Sequence, residues 1–184
     1  MKNLNATYEK CLDILDSVGI EPGIITEVKV NRRLSRSLGI CRRYKNYFGD
    51  FIFKIEINPV LLEDGVTQEQ FENTMLHELL HTVGGCFSHT GKWLELATKV
   101  NQEFGYHISR ETECGYAAER LEKRNPVKYI CACEKCGVEW KYKRWGKVCE
   151  NPERYTHTGC GGHLYMKWHD PKIQILGLNP KFTH

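Results

Sequence analysis

The sequence predicts an α+β protein in two parts: helices around a small antiparallel sheet over residues 1–125, then a small cysteine-rich domain over 126–170 and a tail over 171–184. Three observations predict it. His77-Glu78-Leu79-Leu80-His81 lies in a stretch of helical apolar period, three runs rich in β-formers precede it, and four Cys or His at ligand spacing follow Asn125-Pro126.

A chain of 184 residues holds one domain of ordinary size and an appendage. With 41% hydrophobic and 27% charged residues it has the composition of a soluble globular protein, without repeats or low-complexity tracts. No apolar run is long enough to cross a membrane, and the N-terminus opens as an amphipathic helix instead of a signal peptide, so a cytoplasmic monomer is expected. Cys131, Cys133, Cys136 and Cys160 crowd into one short region, while Cys11, Cys41, Cys86 and Cys114 are scattered singly. That distribution fits a metal site and buried thiols in a reducing compartment. The net charge of +3 is uneven: from residue 126 onward there are ten Lys or Arg against five Asp or Glu. A partner with phosphates would be met in that part.

In chain order, Leu4, Tyr8, Cys11, Leu12 and Leu15 give a helix over 4–18, ended by Gly19 and Glu21-Pro22-Gly23. Ile25 to Leu34, Leu38 to Tyr47 and Phe51 to Ile57 read as strands, with a turn at Tyr47-Phe48-Gly49-Asp50 and with Phe51, Phe53, Ile55 and Ile57 on one face of the third. Arg32, Arg33, Arg36, Arg42, Arg43 and Lys45 on the first two are either the wet face of the sheet or a groove for an anionic polymer or acidic segment. Thr67 to Gln70 reads as a capping box, opening a buried helix to about residue 83. Thr90-Gly91 opens another to about Phe104, with Trp93, Leu94, Ala97 and Val100 inward, and a third runs from about Arg110 to Arg124.

Two histidines four apart on a helix share one face, so His77 and His81 can reach one zinc ion. Glu78 beside them can take a proton from water at the open position. This is a hydrolase signature. Eight further residues of helix would carry His89 about 12 Å past His81, but Gly84-Gly85 ends the helix and lets His89 return as third ligand. Glu95 and Glu103 rank behind His89, and Cys86 reads as a buried thiol.

Beyond Pro126, Cys133-Glu-Lys-Cys136-Gly and His157-Thr-Gly-Cys160-Gly repeat one knuckle pattern, giving a closed zinc site of three cysteines and one histidine. Cys131 rivals Cys133, and Cys149 rivals His157. So small a zinc ribbon has little core, and the metal would supply most of its folding energy. Between the knuckles, Trp140-Lys141-Tyr142-Lys143-Arg144-Trp145 interleaves aromatic and basic residues. As a strand it could stack bases and contact phosphates of a single strand, or one aromatic face could cover the metal site or pack on the first domain while the lysines are solvated. Ile173, Ile175 and Leu176 suggest a short strand in the tail, and His107, His163, His169 and His184 lack partners at ligand spacing.

Val30-Asn31-Arg32, Leu38-Gly39-Ile40-Cys41, Ile55-Glu56-Ile57-Asn58, the histidine motif with His89, Gly91 and Trp93, and a ribbon opening at Tyr129 together resemble the SprT-like family of zinc metallopeptidases, whose eukaryotic member is Spartan. The resemblance implies a zincin-like metallopeptidase domain over 1–125 with a C-terminal zinc ribbon. It also implies His77, His81 and His89 on a catalytic zinc with Glu78 as base and, as for Spartan, cleavage of DNA-crosslinked proteins. His157 stands where the family usually has cysteine.

The expectation is therefore a zinc endopeptidase with one catalytic and one structural Zn2+, cutting protein or peptide and brought to DNA, single- or double-stranded, by its basic ribbon. The alternatives are a non-cleaving nucleic-acid scaffold, which would have no use for Glu78, and a general intracellular peptidase whose ribbon grips protein.

Overall fold

The computed structural model describes residues 2–110, 115–170 and 172. The chain divides into two units, Met1–Arg124 and Asn125–His184.

Helix α1 (Leu4–Ser17) starts at Asn3, whose side chain accepts from the Ala6 amide, and lays Cys11, Ile14 and Leu15 on the core. Three strands follow, β1 (Ile24–Val30), β2 (Gly39–Lys45) and β3 (Phe51–Ile57), in the order β1-β3-β2. β2 and β3 form the expected antiparallel hairpin, its turn held by Asn46, whose Oδ1 accepts from the Phe48 and Asp50 amides. The sheet is not wholly antiparallel, as the sequence suggested: β1 pairs with β3 in parallel. The cause lies in residues 31–38, which form no strand. They cross the end of β3, with the Asn31 amide donating to Ile57 and the Asn58 amide to Leu38, so β3 occupies the slot between its two predecessors. Arg32, Arg33 and Arg36 are exposed on this crossing and do not lie on a strand face. Asn58 is fully buried and anchors the crossing, its Nδ2 donating to the carbonyls of Leu34 (2.9 Å) and Ser37 (3.1 Å).

Helix α2 (Gln68–Leu80) opens with the capping box of Thr67 and Gln70 and is buried on nearly every side, from Phe71 through Leu80 with Asn73 excepted. It stops at His81, three residues before Gly84-Gly85, and of that pair Gly85 takes the left-handed conformation (φ 85°). Helix α3 (Lys92–Phe104) starts after Gly91 and turns Trp93, Ala97 and Val100 inward. Leu94, expected inside, is 56% exposed, because it lies about a quarter turn off the stripe of Trp93, Ala97 and Val100. Helix α4 (Gly115–Arg124) is held to the rest of the first unit by Arg120 and Tyr116, both bonded to Glu63. The expected start of this helix at 111–113 and Cys114 lie outside the described residues.

The second unit is a three-stranded antiparallel sheet, β4 (Tyr129–Cys133), β5 (Glu139–Tyr142) and β6 (Leu164–His169), in the order β5-β4-β6. A short helix α5 (Lys147–Glu150) brings Cys149 against Tyr129 and Cys131 in a small core. The expected strand at Ile173, Ile175 and Leu176, and His184, lie outside the described residues. No helix among those described is long and apolar enough to cross a membrane.

Candidate active site and metal centres

His77 projects from the last turn of α2 and His81 from its C-cap, so the two rings face the same way one turn apart. The turn through Gly85 then brings His89 back to them. The Nε2 atoms of His77 and His81 are 3.2 Å apart, those of His81 and His89 3.0 Å, and those of His89 and His77 2.8 Å. Three nitrogens around a tetrahedral zinc at the usual bond length would stand about 3.3 Å apart, so the triangle is close to the size zinc asks for.

Backbone carbonyls set the tautomers. Nδ1–H of His77 donates to Ser109 and Nδ1–H of His81 to Cys86, each at 2.9 Å. That leaves the Nε2 lone pairs free and aimed at one another, a geometry that needs a cation between them. Protonation is a poor substitute: burial, then the neighbouring histidines His81 and His89, push the His77 pKa down to about 3. The ring of Trp93 closes the floor, with its centre 4.9, 5.6 and 4.8 Å from those of His77, His81 and His89.

Glu78, the residue after His77 in α2, reaches β2, where its carboxylate accepts a hydrogen bond from the Cys41 backbone. Burial outweighs that bond and pushes its pKa up to about 8. It can come so close because residue 39 is glycine: a Cβ there would stand 2.6 Å from Glu78 Oε1. Glu95 and Glu103, the rival ligands, are exposed on α3 and do not join the cluster, and Cys86 contributes its carbonyl instead of its thiol.

In the second unit Cys133, Cys136, His157 and Cys160 converge, with Cys133 Sγ 3.4 Å from Cys160 Sγ and His157 Nδ1 3.1 Å from Cys136 Sγ and 3.3 Å from Cys160 Sγ. Both knuckles fold alike, the Gly137 amide donating to the Cys133 carbonyl and the Gly161 amide to the His157 carbonyl, each glycine at positive φ. Burial would raise the Cys133 thiol, but the backbone amides of Cys136 and Lys135 bring it down to about 6, ready to ligate as thiolate. The rivals Cys131 and Cys149 sit together in the core, and burial pushes Cys131 up to about 12. His163 spends Nδ1 on the Glu153 carbonyl. His107 faces Glu69 and joins neither cluster.

The profile of the SprT-like family matches residues 16–113, more than half of the chain. The chain belongs to the SprT-like family. That family is linked to zinc metallopeptidase activity, and the histidine cluster and Glu78 all fall within the matched residues. Among curated proteins none matches the chain.

The aromatic and basic run 140–145 is not one strand. β5 ends at Tyr142; Trp140 packs its ring 5.2 Å from that of His157, Tyr142 packs on the small core, and Trp145 packs 5.1 Å from Tyr129. Lys141 and Arg144 are exposed, and Lys143 is half-buried. Sequence reasoning missed Trp168 on β6, 42% exposed, which shares Ile130 of β4 as cross-strand neighbour with Lys141. With Lys167 and Val127 these residues line a shallow surface cavity. The signal was the pair of β-forming aromatics, Tyr165 and Trp168, in the stretch after the second knuckle.

Proposed function

We propose that the chain is a zinc-dependent endopeptidase: residues 1–125 a zincin-like catalytic domain, residues 126–170 a zinc ribbon, with one catalytic and one structural zinc. The observation that carries it is the convergence of three histidine Nε2 atoms, with a buried carboxylate on the residue that follows His77. His77, His81 and His89 fit zinc by donor type and spacing, and three protein ligands leave a position for substrate and water. Bound there, zinc supplies Lewis acidity, polarising a carbonyl and lowering the pKa of water. Glu78 then does the proton work, taking the proton at its carboxylate and delivering it to the leaving amine. The two backbone carbonyls hold the imidazoles, and Trp93 keeps water from beneath them. Cys133, Cys136, His157 and Cys160 hold the structural ion.

The substrates are proteins on DNA. Support comes from the basic ribbon and from Lys141 and Trp168 on one sheet face, a cation beside an aromatic ring that suit phosphate and base. The test is proteolysis of a DNA-binding protein by the zinc-loaded chain with and without single-stranded DNA, beside Glu78→Gln. Cleavage by wild type alone, stimulated by DNA and fading as salt rises, is expected. Equal cleavage without DNA would remove the DNA role, and retained activity in Glu78→Gln would remove the mechanism.

A further inference from the structure

Catalysis does not account for the cavity of about 440 Å³ that shares His81 as a wall and is bounded by Arg43, Phe51, Phe53, Phe87 and the backbone of Gly84-Gly85. Its neighbourhood is fixed by three elements. Arg43 stands on β2, an edge strand; Phe51 is on β3; Phe87 lies in the turn that carries the chain from His81 to His89, its ring centre 6.2 Å from that of His81.

The Arg43 guanidinium carbon is 4.5 Å from the ring centre of Phe51 and 4.3 Å from that of Phe87. Both rings lie within cation–π reach of the guanidinium, whose N–H donors can fork onto a carboxylate. Among the described residues Arg43 makes no ion pair, although its neighbours do: Arg42 bonds Glu56 at 3.1 Å and Lys54 bonds Glu27 at 3.3 Å. None of the residues lining the cavity is acidic. Lys92, bonded at 3.0 Å to the Gly84 carbonyl, adds a second cation at the rim.

We propose that Arg43, clamped by Phe51 and Phe87, is a specificity-determining residue: its cavity receives an acidic side chain, Asp or Glu, of the substrate near the bond to be cut. The inference rests on the peptidase reading above, because the cavity opens beside His81. A cation held by rings, left without a carboxylate and set against the metal ligands is placed for a group the substrate brings.

The experiment uses the zinc-loaded full chain and fluorescent peptides that differ only in Glu, Gln or Lys at positions flanking the scissile bond. Cleavage is measured for wild type, and binding of the same peptides is measured by anisotropy on Glu78→Gln. At one position Glu is favoured over Lys by about tenfold or more in both readouts, the size of one charge-assisted hydrogen bond. Arg43→Gln abolishes the preference and Arg43→Glu reverses it, and as ratios within one variant these survive partial loss of folded protein. Charge-ordered binding that Arg43→Glu reverses, without cleavage by wild type, keeps the subsite and removes the peptidase. Cleavage with no charge preference, binding with none, or a preference that survives Arg43→Glu overturns the subsite. If Arg43→Glu instead weakens oligothymidine binding and leaves the peptide order unchanged, Arg43 is a nucleic-acid contact and the proposal falls.

Discussion

A Cβ on Gly39 would stand 2.6 Å from Oε1 of Glu78, so β2 and this carboxylate touch only because residue 39 has no side chain. The carboxylate is buried and cannot swing away into solvent. Gly39→Ala must therefore displace it from the Cys41 amide. Cleavage by Gly39→Ala should fall about 100-fold, as expected when a reacting group moves by roughly an ångström, with overpacking destabilisation of ~1–3 kcal/mol. Peptide kinetics beside zinc analysis check it: activity lost with zinc retained is the expected pair.

The Glu78 carboxyl also links stability to pH. In the metal-free protein its pKa is raised by burial to about 8, above the ordinary 4.5. Between those values the folded state holds more protons than the unfolded one, so this group's contribution is full below 4.5 and is lost as pH rises through 8. Metal-free Glu78→Gln should match wild type near pH 4 and exceed it at pH 9 by on the order of a few kcal/mol. Zinc at the histidines favours the ionised carboxylate, so loading the metal should shrink the gap. Denaturant titrations at both pH values decide it; a gap that does not grow with pH contradicts it.

Much of this site was legible in the chain because its parts are local. The capping box, the four-residue histidine spacing, the glycine pair and His89 all lie within residues 67–89, where period and breaker residues carry the information. The Gly39 contact was not legible, since a glycine opening a strand reads the same whether a carboxylate or nothing lies over it. The parallel pairing of β1 was hidden for a similar reason: apolar alternation fixes which face is buried, not which strand becomes the neighbour. In the second unit, the glycines ending each knuckle distinguished ligands from rivals. Trp168 was not legible because its neighbour Lys141 lies 27 residues away, and only the pairing of β5 and β6 with Ile130 brings the two together.

That choice of ligands has a direct consequence for zinc content. Wild type and Cys131→Ala should each hold two zinc ions per chain, and Cys136→Ser one. Atomic emission after exhaustive dialysis makes the count. Loss of an ion in Cys131→Ala would return that thiol to the ligand set.

Binding of single-stranded DNA should depend on β6 as well as β5. Trp168→Ala should weaken it by about 1–3 kcal/mol, the value of one stacked base, with the salt dependence unchanged. Lys141→Ala should lower the salt slope by roughly one contact. Titrations at two ionic strengths separate the two effects, and equal salt slopes in wild type and Lys141→Ala would remove this face from the DNA path.

The three nitrogens that meet in the first unit all come from the thirteen residues His77 to His89, whereas the Glu78 carboxylate takes its bearings from β2, far away in the chain. On the peptidase reading, capture of the ion and alignment of Glu78 are therefore separable events. A molecule whose helix and turn have formed, but whose sheet edge is pulled out of place, would be metallated and inert. Metal content would then overstate the fraction of competent enzyme, and any ligand that presses on the β2 edge would act as a switch on chemistry without ever touching the ion.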